Sequence, residues 1–276
     1  MGSFSGRNPY MGGCEVEAMR DYILSPEAMI VTEGSSVGTQ RKYYDNGYWY
    51  KQNQLGYEGY AEYLASQVLN CSNVKDFVIY EVCRVNGRNG CRSENFLGQE
   101  EAFISFQRLY EMYHGAELND RIRMIPETEE RIQYTVDFIR EVTGVDCRIY
   151  LSQVLSLDML LLNTDRHLHN LGIIVNRKEQ TYRPAPIFDN GNSLLSDYDR
   201  FDRESLEENI DCVVGQPFSA SLERQAEAAG IGLRLDYRKL RELLKKEPDI
   251  RAVNVLKYQL HRYAHIIPDM AAYSDE

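Results

Sequence analysis

One stretch constrains the fold of this chain more than any other: Leu157-Asp-Met-Leu-Leu-Leu-Asn-Thr-Asp-Arg-His-Leu-His-Asn-Leu-Gly-Ile-Ile-Val175. An apolar helix at 155–162 runs into a polar turn at 163–170, and a β-branched run, Ile173-Ile174-Val175, follows. Asp165 and Asn170 stand five residues apart across the turn. Asp189 lies nineteen residues beyond Asn170, behind the short apolar segment Ile187-Phe188 and in front of Asn190-Gly191. Asp and Asn are ordinary turn residues, and Asp-x-x-x-x-Asn alone would leave that reading ahead. Arg166-His167 makes the string much rarer, and the second carboxylate after strand-like residues tips the balance toward a chemical site.

Phosphoryl transfer calls for such a set. It needs an Asp to accept a hydroxyl proton, and an amide oxygen and a carboxylate to hold Mg²⁺, all on rigid supports. Asp165 is the candidate for the first role and Asn170 and Asp189 for the others.

Composition narrows the classes. The chain has 276 residues, enough for a two-lobed domain with a real core. With 43% hydrophobic and 26% charged residues it reads as a soluble globular protein. The net charge of -11, with no basic run longer than Lys245-Lys246, disfavours nucleic acid as a partner. No stretch approaches about eighteen consecutive apolar residues. Residues 1–9 lack the apolar core of a signal peptide, and Gly6 breaks the myristoylation pattern. No membrane association is expected. The six cysteines are scattered without a Cys-x-x-Cys pair, which points away from zinc and toward reduced thiols in a cytoplasm.

Taken in order, Ile30-Val-Thr32 predicts a short strand leading to a small loop with Gly34, Ser35, Ser36, Gly38 and Thr39. Its backbone amides suit phosphates, although it is not a Walker loop. Asp45-Asn-Gly47 predicts a hairpin turn joining strands at 40–44 and 48–52, the second carrying Lys51. A helix at 57–69 follows, with Glu62 placed to pair with Lys51. Read singly, Lys51 is an edge-strand lysine and Glu62 an exposed helical glutamate. Residues 77–85 read as strand, 86–90 as a turn, and 91–97 as the crossing between lobes. The backbone of 93–96, including Glu94 and Phe96, is the candidate for adenine contacts. Helices are expected at 100–113, 127–142, 147–162, 219–229, 236–246 and 250–266, and 192–203 reads as a polar loop suited to control access. A β-rich first third followed by helices is α+β.

Asn163-Thr-Asp-Arg-His-Leu-His-Asn170 with Pro186-Ile-Phe-Asp-Asn190 resembles the catalytic and metal motifs of the HipA-like serine/threonine kinases. Residues 35–42 resemble the glycine-containing loop of the same family. The resemblance implies a two-lobed protein-kinase-like fold with an N-lobe at 1–92 and a helical C-lobe at 93–276. It implies ATP and Mg²⁺ as cofactors, Asp165 as base, and Asn170 and Asp189 as metal ligands. Lys51 would contact phosphates, Glu62 would orient it, Ser35, Ser36 and Gly38 would border them, and His167 would support the catalytic turn by hydrogen bonding. A protein substrate with a Ser or Thr acceptor is implied, with self-phosphorylation at Ser35 or Ser36 an expectation by position.

The chain departs from ordinary protein kinases in having Asn190-Gly191 after Asp189. It also begins close to the glycine-containing loop, which suggests a stand-alone module whose antitoxin-like regulator is a separate polypeptide. Asp-Arg-His-x-x-Asn occurs in phosphoinositide kinases too. A small-molecule or lipid kinase, a nucleotide-binding pseudokinase and a structural α+β domain therefore stay open at this point. The last 80 or so residues carry no assignable motif.

Overall fold

The computed structural model of the chain describes residues 19–30 and 40–273. Its first part comprises β1 (Asp21–Tyr22), a 3-10 turn (Pro26–Ala28), β2 (Met29–Ile30), β3 (Lys42–Asp45), β4 (Tyr48–Gln52), α1 (Glu58–Asn70), β5 (Glu81–Val85) and β6 (Arg88–Glu94). The strands form one sheet in the order β1-β5-β6-β4-β3-β2. Asn46-Gly47 closes the hairpin of β3 and β4 with both φ angles positive, which the Asn-Gly pair tolerates. Asn86-Gly87 does the same for β5 and β6.

Residues 22–28 cover one face of this sheet. Tyr22 and Leu24 pack on a small cluster of Tyr43, Tyr50, Cys83 and Val85. The inner face receives α1, which lies directly on β6. A β-carbon on Gly59 would come within 2.5 Å of the Gly90 carbonyl carbon, so the approach requires glycine. That seating decides the site geometry, because Gly90 adjoins Cys91, the cross-strand neighbour of Lys51.

The second part is mostly helical. It holds β7 (Glu101–Ser105), α2 (Phe106–His114), α3 (Leu118–Arg123), α4 (Thr128–Thr143), α5 (Arg148–Leu161), β8 (Gly172–Asn176) and β9 (Thr181–Pro184). After these come α6 (Leu206–Asp211), α7 (Leu222–Ala229), α8 (Tyr237–Leu244), α9 (Arg251–Arg262) and a last 3-10 turn. The strands make a second antiparallel sheet, β7-β8-β9. One core runs from α1 through α5 to α9, with Leu64, Val68, Leu151, Leu155, Leu157, Val253 and Leu256 fully buried. Removing such side chains from water is the main force joining the two parts. The architecture is α+β and two-lobed, as the strand-then-helix pattern implies.

Several local expectations need correction. The helix expected at 100–113 starts at Phe106, because Glu101–Ser105 pairs as a strand with Gly172–Asn176. The Ser105 hydroxyl accepts from the Arg108 amide and opens the helix there. The segment expected to cross between lobes at 91–97 is sheet as far as Glu94, since β6 pairs with both β4 and β5. The strand expected at 77–85 is confined to β5, while Phe77 and Val78 leave the first sheet to meet Ile187. Residues 31–39, and with them Ser35, Ser36 and Gly38, lie outside the described residues.

The segment at 192–203 is irregular but its centre is not an open loop. Ser193, Leu194, Leu195, Ser196 and Phe201 are buried. The Tyr57 hydroxyl donates to the Leu194 carbonyl at 2.5 Å, and a β-bridge joins Gly56 to Asp197. This polar string is packed against α1 because its leucines, in the left-handed region, turn inward.

Candidate active site

The site begins at the end of α5. Leu162 takes a left-handed conformation and its amide caps the helix on the Asp158 carbonyl, so the chain turns sharply into 163–170. The Asn163 side chain bridges this turn. Its Nδ2 donates to Asp158 Oδ1 at 2.9 Å and its Oδ1 accepts from the Asp165 amide at 3.0 Å. Arg166 points back into the protein. Its Nε lies 3.0 Å from Asp158 Oδ2, Nη1 donates to the Phe188 carbonyl at 2.6 Å, and Nη2 to Asn190 Oδ1 at 2.5 Å. One buried guanidinium thus ties the turn carrying Asp165 to the residues on either side of Asp189.

Asp165 stays at the surface of this scaffold. Asn192 Nδ2 donates to its Oδ2 at 3.0 Å, and Gln216 Nε2 reaches its Oδ1 at 3.4 Å. Asn170 Nδ2 donates to the Asp165 carbonyl at 3.2 Å, which leaves the Asn170 side-chain oxygen as the acceptor for a cation. The expectation that His167 supports the turn through its side chain is not met at Nδ1, which is buried without a hydrogen-bond partner. Its backbone does that work, donating to Asp165 O and accepting from the Asn170 amide, both at 2.9 Å. Burial holds the His167 imidazole below its ordinary value, so it is neutral at pH 7.

Asp189 sits under the first sheet in a left-handed conformation, φ 59°, which an Asp tolerates better than most residues. Its carboxylate meets two lysines, Lys51 Nζ at 2.6 Å and Lys42 Nζ at 3.7 Å. Lys42 and Lys51 are direct cross-strand neighbours on β3 and β4, so both ammonium groups share the inner face. Lys51 also pairs with Glu62 of α1, whose other oxygen accepts from the Asn190 amide at 2.7 Å. Burial alone would raise the Asp189 carboxyl, but Lys51 and then Lys42 outweigh it and hold it well below the usual range. Burial alone would lower the Lys51 ammonium, and Asp189 and Glu62 hold it well above its ordinary value.

Near the strand-to-helix crossing, Phe96, Phe103 and Phe188 form an aromatic cluster with ring centroids 5.4–6.3 Å apart. Gly172 makes room for it, since a β-carbon there would lie 2.5 Å from the Phe103 ring. The Trp49 indole donates to Asn95 Oδ1 at 3.3 Å. The Glu94 side chain accepts from the Tyr48 hydroxyl at 3.0 Å.

The sequence-predicted set therefore comes together in two groups, Lys51–Glu62–Asp189 and Asp165–Asn170, linked by Arg166. Reading from the sequence misses Lys42, Asp158, Asn192 and Gln216. Strand register makes Lys42 findable, as it lies directly opposite Lys51 across an Asn-Gly hairpin. The other three answer to tertiary contacts alone.

The donor set suits a nucleotide with Mg²⁺. Among the described residues no group of three or more His, Cys, Asp or Glu could hold a metal ion. Mg²⁺ nevertheless needs only one or two protein oxygens when phosphates and water complete its shell. Asp189 and the Asn170 side-chain oxygen would hold it, and Lys42 and Lys51 would face the accompanying phosphates.

The fold is that of a two-lobed, kinase-like domain. Among solved structures, the crystal structure of the Helicobacter pylori proinflammatory kinase CtkA superposes with a TM-score of 0.60. The match covers 83% of this chain and 91% of that one at 17% sequence identity, so the likeness is one of fold. No family model matches the chain, and no curated protein matches it. No helix among the described residues is long and apolar enough to cross a membrane.

Proposed function

We propose that this chain is an ATP-dependent phosphotransferase, a HipA-like kinase that phosphorylates a serine or threonine hydroxyl of a protein. The observation that carries this reading is the Lys51–Glu62–Asp189 ion cluster, in which a strand and the helix after it meet a loop 138 residues beyond Lys51, bonded through Arg166 to the Asp165 turn. A structural domain has no need to converge these groups on one cleft. Kinase chemistry does, because it depends on positioning and on charge stabilisation.

In this reading Lys51, held by Glu62, binds the phosphates of the nucleotide, and Asp189 and Asn170 hold Mg²⁺. The bound ion would supply charge neutralisation at the transferring phosphoryl group. Asp165 orients the acceptor hydroxyl and takes its proton. Phe96, Phe103 and Phe188 offer an apolar surface for the base, and the backbone at 94–96 its polar edge. An antitoxin-like regulator and self-phosphorylation at Ser35 or Ser36 belong to the same proposal and rest on the sequence resemblance, and a cytoplasmic setting rests on the scattered cysteines.

The test is incubation with Mg²⁺ and γ-labelled ATP, followed by intact mass and peptide mapping, with Asp165→Ala alongside. The wild type should acquire phosphate, and Asp165→Ala should lose about 10²–10⁴ of the rate while nucleotide affinity changes less than about twofold. Nucleotide binding without transfer to any protein would favour a small-molecule kinase or a pseudokinase. Failure to bind nucleotide would overturn the reading.

A further inference from the structure

We propose that Gln216 is a positioning residue for Asp165, clamping both the backbone of the catalytic turn and one oxygen of its carboxylate. The inference rests on the phosphotransfer reading above and assigns a role within the C-terminal region, where no sequence motif is legible.

The geometry is specific. Gln216 Nε2 donates to the Thr164 carbonyl at 2.9 Å and lies 3.4 Å from Asp165 Oδ1. An amide nitrogen carries two hydrogens, so one group can serve both acceptors. The opposite carboxylate oxygen has its own amide donor, Asn192 Nδ2 at 3.0 Å, and the Asn192 carbonyl accepts from the Thr164 amide at 3.0 Å. Asp165 is therefore held between two neutral donors from two segments far apart in the chain, 192 and 216.

Gln216 can hold a group still because its own loop is anchored. The Gly215 amide donates to the Ala220 carbonyl at 2.7 Å and closes the loop. Phe218 is fully buried in the core, and its carbonyl accepts from Arg131 Nη1 at 2.8 Å. Ser221 then caps α7.

The choice of neutral donors matters chemically. A lysine or arginine in the same place would bind the carboxylate as an ion pair and compete with its acceptance of a proton. An amide fixes the orientation of the oxygens and leaves lone pairs for an incoming hydroxyl. A carboxylate has about four acceptor sites, so two amides leave capacity for the substrate. Holding the base before the substrate arrives removes orientational freedom from the reacting complex.

The experiment compares Gln216→Met and Gln216→Glu with the wild type in phosphate transfer, nucleotide binding and thermal unfolding. Met keeps length and bulk but has no donor. Glu also loses the donor and sets a like charge against Asp165. We expect kcat to fall about tenfold for Met, the worth of one hydrogen bond, and further for Glu. KM for ATP and nucleotide affinity should change less than about twofold, a split that a general loss of structure would not produce. A readout independent of activity is the side-chain amide NMR signal of Gln216, which should move in Asp165→Asn. Wild-type kcat in Gln216→Met, or a Gln216 signal indifferent to Asp165→Asn, would overturn the inference. An amide signal that responds in a protein that transfers no phosphate would instead overturn the phosphotransfer reading and leave the contact standing.

Discussion

Asp158 and Asp189 are both carboxylates held by cations near the same turn, yet their surroundings are opposite. Asp158 and Arg166 have side chains 0% and 1% exposed, and the Asp158 oxygens are met by Arg166 and Asn163. The Arg166 donors not engaged by Asp158 go to Phe188 O and Asn190 Oδ1. That cluster is closed. The Asp189 cluster opens toward solvent in steps, with Lys51 10%, Asp189 19% and Lys42 26% exposed, and its outer contact is a loose 3.7 Å. Buried ions with every partner in place hold a shape. Ions whose partners can be exchanged for a ligand's can serve chemistry.

The comparison breaks most visibly at Arg166. Arg166→Met leaves Asp158 buried without its cation and frees the residues that flank Asp189. We expect a loss of about 3–5 kcal/mol in urea unfolding, together with loss of activity. A cost below about 1 kcal/mol would mean that the closed cluster is not the structural tie described here.

Lys51→Met should cost less, about 1–3 kcal/mol at neutral pH, because the buried Glu62 can take up a proton instead of forcing unfolding. The sign of its pH dependence is a sharper test. Burial raises Glu62 already in the wild type, with Lys51 opposing it, and without Lys51 it rises further. A raised carboxyl contributes stability that is present below its unfolded pKa and lost as pH rises through the folded one. Lys51→Met should therefore melt higher at pH 5 than at pH 8, by more than the wild type does. The depressed Asp189 acts in the opposite sense, its contribution being present above the unfolded value near about 4 and lost only on acidification below it. Identical melting curves at pH 5 and pH 8 for the variant would show that Glu62 is not confined as described.

Lys42→Met is the smallest perturbation of stability. The lysine is partly exposed and its contact with Asp189 long, so it should cost under about 1 kcal/mol in the same unfolding assay. A larger loss would make Lys42 part of the closed scaffold and remove the gradient on which the comparison stands.

The legible parts of this protein are those carried by short-range rules. The Asn-Gly hairpin of β3 and β4, the helix bearing Glu62 and the helix-turn-strand around Asp165 all follow from local propensity and periodicity, and the structure has them. The start of α2 is not legible in the sequence because Ala102-Phe103-Ile104 suits a helix as well as a strand, and only pairing with Ile173 and Ile174 chooses the strand. The 192–203 segment is irregular as its polarity implies, but composition does not report where Leu194 and Leu195 point. Gln216 was invisible for a similar reason: its one informative property is a partner about fifty residues away.

By itself the sequence determined the α+β order of elements and the rare string that pairs Asp165 with Asn170 and sets Asp189 behind them, since those depend on neighbours in the chain. Only the tertiary structure decided that Lys51, Glu62 and Asp189 share one cluster, that Lys42 joins it, that Arg166 is turned inward as its anchor, and that Asn192 and Gln216 flank Asp165. Each of these depends on burial and on contacts between segments tens of residues apart, and a charge reveals its role through the partners that surround it.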